Sequence, residues 1–239
     1  MWRWKRILRA VLLWALLCFA LGIMAAFFEI KASTIQILII ICCAIYLLVT
    51  ITYYFVFMQP YRRRVQQQNA EMEAGNLETA LEDIKAMQQE PRVRRSQYLT
   101  QCCQINLSAA YCRLEQYDRA LEVLNAMPEK LKEQVRLVHH LNTCICLFYS
   151  GTEEKALAYY HTHEKLFHAH RGDRNYKGNL ALLKCWVLSA QGELAAALEL
   201  CKQTKALCNT PSLLEAYDKL EQHLAGHSMK NTGIGIAAI

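Results

Sequence analysis

The chain has 239 residues, 54% hydrophobic and 20% charged, with a formal net charge of +6. Soluble domains average about 45–50% apolar and about 25% charged residues, so this chain is too apolar to be disordered throughout. With 9 Gly and 4 Pro it is also too poor in turn residues for an all-β or collagen-like fold. Residues 1–60 hold 5 Lys and Arg against 1 acidic residue, whereas 61–239 hold 22 against 20, so the mean hydropathy of +0.04 averages two unlike parts.

Residues 10–28 are an uncharged run of 19, roughly 29 Å long as a helix and close to the ~30 Å hydrocarbon core of a bilayer. Residues 35–58 are a second run, of 24, long enough to cross with some tilt. The pattern predicts transmembrane helices over about 8–28 and 35–58 and a membrane-anchor domain over 1–60. The short link 29–34 forces an antiparallel hairpin, with Ser33 or Thr34 available to cap the second helix. Arg3, Lys5, Arg6 and Arg9 precede the first run, Arg62, Arg63 and Arg64 follow the second, and Lys31 alone lies between. The positive-inside rule then places both termini, and everything after residue 60, on the cytoplasmic side of the plasma (cytoplasmic) membrane. Trp2, Trp4, Tyr53, Tyr54 and Tyr61 fall where interfacial aromatic residues belong. A signal peptide would have a shorter apolar core, of about 7–15 residues. Neither run contains an ionisable Asp, Glu, Lys, Arg or His, so no ion pathway is legible. Gly22 has no partner four residues away for close helix packing. The hairpin reads as an anchor, with Arg62, Arg63 and Arg64 meeting anionic head groups.

Behind the anchor, four segments repeat one another: 74–84, 114–124, 150–160 and 191–201. Their alanines Ala80, Ala120, Ala156 and Ala197 are 40, 36 and 41 residues apart, a spacing typical of solenoids. Gly75, Gly151 and Gly192 supply the left-handed residue that ends one helix and turns the chain. The small alanine then lets a neighbouring helix approach, and the adjacent leucine continues a buried stripe.

These features resemble the tetratricopeptide repeat family. The second unit carries Asn106-Leu107-Ser108, Tyr111, Tyr117, Ala120, Leu121, Leu124 and Pro128; the first carries Gly75, Leu77, Ala80, Leu81, Ile84 and Pro91; the fourth carries Gly192, Leu194, Ala197, Leu198 and Pro211. The third departs from the pattern, with Glu153 at the usual apolar position. The resemblance covers about 61–225 and implies an all-α chain, its repeat domain over 61–228 an α-solenoid of helix–turn–helix units. Residues 212–225, with Leu213, Leu214, Tyr217, Leu220 and Leu224 on one side, are expected as a terminal cap helix, and 229–239 as a flexible tail.

Little in the repeats points to chemistry. Of the eleven cysteines, eight lie beyond the apolar runs without a Cys-x-x-Cys spacing, so they read as small core or groove residues. His161, His163, His168 and His170 form the one dense ligand-type cluster, and His161, Glu164 and His168 share a helix face, the arrangement a metal-binding sensor would need. The bland alternative, solvated surface histidines, is favoured. No nucleophile elbow, phosphate loop or His-Glu-x-x-His is present, so no enzyme activity and no cofactor are expected. The mild charge of 61–239 argues against nucleic acid.

The remaining feature is the groove that the first helices of such repeats line. Carried over from the family register, its residues are Asn69, Asn106, Arg113, Asn142, Tyr149, Asn179 and Trp186, with Arg62 at its start and Ile105, Leu141 and Ile145 nearby. A side-chain amide holds a peptide N–H and C=O together, and the aromatics are apolar anchors; equally, the asparagines could bond between helices. The expected function is a membrane-tethered, non-catalytic adaptor or scaffold for a protein or peptide partner, an apolar helix fitting best. The alternative is a regulatory or assembly subunit within a larger membrane complex.

Overall fold

The computed structural model describes residue 20 and residues 32–52, 55–56 and 59–231, and the chain divides into two compact units, Met1–Val65 and Gln66–Ile239. Eleven helices and no strand occur among the described residues, so the fold is all-α.

In the first unit, helix α1 (Ala32–Thr52) has neither Gly nor Pro to break it and no charged residue. It exposes a run of large side chains, with Ile40 67%, Leu47 61% and Leu48 65% exposed. Thr50 satisfies its hydroxyl within the helix, donating to the Tyr46 carbonyl at 2.8 Å. Among the described residues no helix is long and apolar enough to cross a membrane. In α1, Ser33, Thr34 and Gln36 at one end and Thr50 and Thr52 at the other bound an unbroken apolar stretch over 37–49. The expected span over 8–28 lies outside the described residues except for Ala20.

The helices that follow are α2 (Gln59–Glu73), α3 (Leu77–Gln89), α4 (Pro91–Arg95), α5 (Gln97–Arg113), α6 (Tyr117–Asn125), α7 (Glu133–Tyr149), α8 (Glu153–His170), α9 (Lys177–Ala190), α10 (Leu194–Lys205) and α11 (Pro211–Asn231). Pro91, expected only as a break, stands at the start of α4, where its missing N–H costs nothing. The pairs α2/α3, α5/α6, α7/α8 and α9/α10 are joined by four turns of one design. In each, the second residue after the first helix has positive φ: Gly75 (88°), Glu115 (59°), Gly151 (72°) and Gly192 (82°). Each of these donates its N–H three residues back, to Met72, Cys112, Phe148 and Ser189, and the next residue donates five residues back, to Glu71, Tyr111, Leu147 and Leu188. This is the Schellman arrangement, repeated four times. The carbonyl of the residue before each second helix then accepts from the N–H of the repeated alanine, at 3.1 Å for Ala80 and 2.9 Å for Ala156 and Ala197. All four alanines are buried, at 1% for Ala80 and 0% for the others, because the partner helix passes directly over them.

The core is correspondingly serial. Met72, Ala80, Ile84, Leu107 and Ala110 join the first two hairpins. Ile105, Ala120, Leu124, Met127, Val135 and Cys146 join the second to the third. A larger cluster runs from Leu137 and Phe148 through Leu183 and Val187 to Tyr217, Leu220 and Leu224, so α11 closes the stack. Such nearest-neighbour packing is the energetic signature of a repeat array. Cys103, Cys144, Cys185 and Cys201 are fully buried within it, and burial pushes the Cys144 and Cys185 thiols up to about 12. Helix α11 extends to Asn231, past the expected start of a tail at 229; residues 232–239 lie outside the described residues.

Candidate partner-binding groove

The first helices of hairpins two, three and four place Arg113, Asn142, Tyr149 and Asn179 around one cavity of about 190 Å³. Its floor is apolar, from Ala109, Ile145 and Leu182, and its far wall is α11, through Leu213, Glu215, Ala216 and Lys219. Arg113 and Tyr149 each stand two residues before the left-handed residue of their turn and so fall at matching positions on successive first helices, whereas Asn142 and Asn179 stand nine and thirteen residues before theirs, about one helical turn apart in register.

The amides of Asn142 and Asn179 face this cavity without a hydrogen-bond partner among the described residues. Tyr149 stacks on Tyr117 with ring centroids 5.4 Å apart, and burial raises both phenols above their ordinary range. The Tyr149 hydroxyl is buried and makes no hydrogen bond. Cys112 and Cys146 also line the cavity; their mutual hydrogen bond pulls the Cys112 thiol down and pushes the Cys146 thiol up.

The other expected groove residues lie elsewhere. Asn69 is exposed on α2 and is not part of the cavity. Asn106 donates to Gln68 Oε1 at 3.3 Å, and the buried Gln68 donates to Asp83 Oδ2 at 2.7 Å. That amide is therefore a tie between the first two hairpins. Trp186 is only 4% exposed: it stacks on Phe148 at 5.8 Å and meets Tyr149 edge-on at 5.3 Å, so it is a core residue behind the cavity. Ile105 and Leu141, expected at the groove surface, are buried as well, while Ile145 stays at the cavity.

Helix α11 crosses the mouth on a polar stripe, 212, 215, 219 and 223, the one-face spacing of an α-helix. Ser212 Oγ donates to Glu73 Oε1 at 2.6 Å, and its backbone N–H donates to Oε2 at 3.1 Å. The Glu73 carboxylate thus caps the positive end of the α11 dipole from another helix. Arg113 donates to the Met72 carbonyl and lies 3.8 Å from both Glu73 and Glu215. Lys219 reaches Glu115 at 2.6 Å and Glu215 at 3.4 Å. That contact holds the Glu115 carboxyl below, and the Lys219 ammonium above, their usual ranges. His223 comes within 3.7 Å of Glu153. The opposite stripe, Tyr217, Leu220 and Leu224, is buried, and the Tyr217 hydroxyl donates to the Gly178 carbonyl at 2.9 Å. Leu213 nestles over Gly178, where an added Cβ would meet its Cδ2 at 2.5 Å. The sequence carries the amphipathic pattern of α11 but no local sign of where its polar face lands.

His161, Glu164 and His168, the alternative metal set, do not come together as ligands. His161 Nδ1 sits 3.7 Å from Glu164, but His168 faces Arg171 at 3.3 Å, and no group of three ligand-type side chains could hold a metal among the described residues. A different set packs together instead. His140 stacks on His163 at 3.8 Å, meets His139 edge-on at 4.9 Å and bonds the Tyr159 hydroxyl at 2.7 Å. Burial, then the neighbouring His163, His139 and Arg136, bring His140 down to about 4. Arg62 and Arg63 are exposed and Arg64 half-buried on α2.

No family model, curated protein or solved structure matches the chain.

Proposed function

We propose that this protein is a membrane-anchored, non-catalytic adaptor whose tetratricopeptide-like array holds a helical protein segment in the groove lined by α5, α7 and α9. The observation that carries the reading is the pair of unpartnered amides, Asn142 and Asn179, on successive first helices above an apolar floor. Both amides are half-buried and open to the cavity, and a guest backbone supplies a donor and an acceptor for each. Asn106, at the first interface, is already satisfied by Gln68, which restricts the vacancy to the later hairpins.

Anchoring rests on the sequence runs over 10–28 and 35–58 and on the large apolar side chains that α1 exposes between Ile37 and Val49. In this reading the two runs form the hairpin, the cytoplasmic face carries both termini, and Arg62, Arg63 and Arg64 meet lipid phosphates. Reporter fusions at each end test the topology, and an external C-terminus contradicts it. For the groove, Asn142→Ala/Asn179→Ala should abolish partner capture by the full chain in detergent without lowering its melting temperature. Unchanged capture refutes the groove. A second reading, an assembly subunit of a larger membrane complex, is favoured by the same α1 surface, whose exposed side chains suit other spans. It predicts that residues 61–239 alone capture nothing that the full chain captures.

A further inference from the structure

Glu73, Arg113, Glu215, Lys219 and Glu115 form an unbroken run of alternating charge across the cavity mouth. Three belong to the first two hairpins and two to α11. Capping the stack does not need them: the apolar stripe of α11 already covers the last hairpin through Tyr217, Leu220 and Leu224. The polar stripe instead reaches back to hairpins that have their own neighbours. A second observation points the same way. Among the four equivalent turns, only the second has a residue with a side chain, Glu115, in the left-handed conformation. L-residues adopt that conformation at a cost, and such strain tends to mark functional positions. Its carboxylate is the one that receives Lys219 at 2.6 Å. Glycine would serve the turn and leave Lys219 without this partner.

We propose that α11 is an intramolecular strap over the partner groove: when the partner binds, the Lys219 side chain lets go of Glu115 and the first two turns of the helix, ahead of Tyr217, are released. The partner it mimics is an amphipathic helix bearing a hydroxyl, an acid and a base at i, i+3 and i+7, the pattern of Ser212, Glu215 and Lys219. This rests on the groove reading above. The strap pairs are partly exposed, from 24% for Arg113 to 62% for Glu115. Exposed pairs are individually weak, so the strap lowers guest affinity by a modest factor that a matching helix overcomes. Tyr217 and the leucines beyond it keep the rest of α11 in place during release.

The test uses the full chain in detergent micelles, with a fluorescent peptide of residues 209–226 as guest. Lys219→Glu should speed amide exchange over 212–216 about tenfold and tighten peptide binding about tenfold. The charge-swapped pair Lys219→Glu/Glu115→Lys should bring both values back toward the unmodified chain. Faster exchange with unchanged peptide affinity overturns the strap and leaves the groove standing. Faster exchange with no peptide binding by any form overturns the groove and the strap together. Unchanged exchange in Lys219→Glu overturns the strap.

Discussion

Replacing Tyr217 removes the anchor of α11, and its cost can be worked from the packing. The side chain is 0% exposed and sits in the cluster that joins the last two hairpins to α11. A buried tyrosine hides on the order of 200 Å², which at about 25 cal/mol per Å² gives about 5 kcal/mol. Compactness of the unfolded chain lowers that to about 3–4 kcal/mol. The hydrogen bond to the Gly178 carbonyl, at 2.9 Å, adds about 1 kcal/mol. Tyr217→Ala should therefore cost about 3–5 kcal/mol and Tyr217→Phe only about 1 kcal/mol. Because each hairpin packs mainly on its neighbours, the loss should appear locally. Hydrogen exchange followed by mass spectrometry on the full chain in micelles should show protection in α11 falling by about two to three powers of ten, with α3 unchanged. Equal loss of protection in α3 and α11 refutes the serial core. A cost below about 1 kcal/mol for Tyr217→Ala refutes the seating of α11.

Further outcomes follow from the turns and the histidines. At Gly75, Gly151 and Gly192 an added Cβ meets nothing within 4 Å, so each Gly→Ala exchange should cost only the conformational penalty of positive φ, about 1 kcal/mol, read by urea denaturation. Glu115→Gly relieves that penalty but loses the Lys219 pair. It should be close to neutral alone and stabilising by about 0.5–1 kcal/mol in a Lys219→Ala background, measured as a double-mutant cycle. His140 is held at about 4 in the folded chain, and His139 and His163 are also lowered, each mainly by burial. The unfolded chain therefore binds protons first, and stability present above about pH 6.5 is lost progressively as pH falls toward 4. Allowing for partial exposure, His140 alone accounts for about 2 kcal/mol. His140→Phe should flatten the slope of stability between pH 6.5 and 4, and an unchanged slope rejects the assignment.

The parts of the fold legible in sequence were those written in local pattern. The glycine–alanine offset located the hairpins because a Schellman turn needs a left-handed residue and the crossing needs a small one. Pro91 and Pro211 marked element starts, although Pro91 opened a helix where only a break was expected. The second turn kept the same geometry with Glu115, so there the surrounding pattern, and not a glycine, carried the signal. The candidate site was half legible: Arg113, Asn142, Tyr149 and Asn179 converge as the repeat register implied. Trp186 and Leu141 turned inward because α7 and α9 are covered by neighbouring helices and by α11, which widens their buried faces beyond one stripe. Asn106 found a partner in Gln68, which no local pattern indicates. The return of α11 across the mouth was illegible for a plain reason. Ser212 and Glu73 are 139 residues apart, and a polar stripe on an amphipathic helix looks the same whether it meets water or another helix.

The central claim is that the cavity between α7, α9 and α11 holds a segment of another protein. A photo-crosslinking amino acid at Asn142 or Asn179, in the full chain in its native membranes, tests it directly. The account predicts a crosslinked product in which mass spectrometry maps a second protein's amphipathic helix to that position, with more product when Lys219 is changed to Glu. Crosslinks only to α11 of the same chain, in both forms, would contradict it.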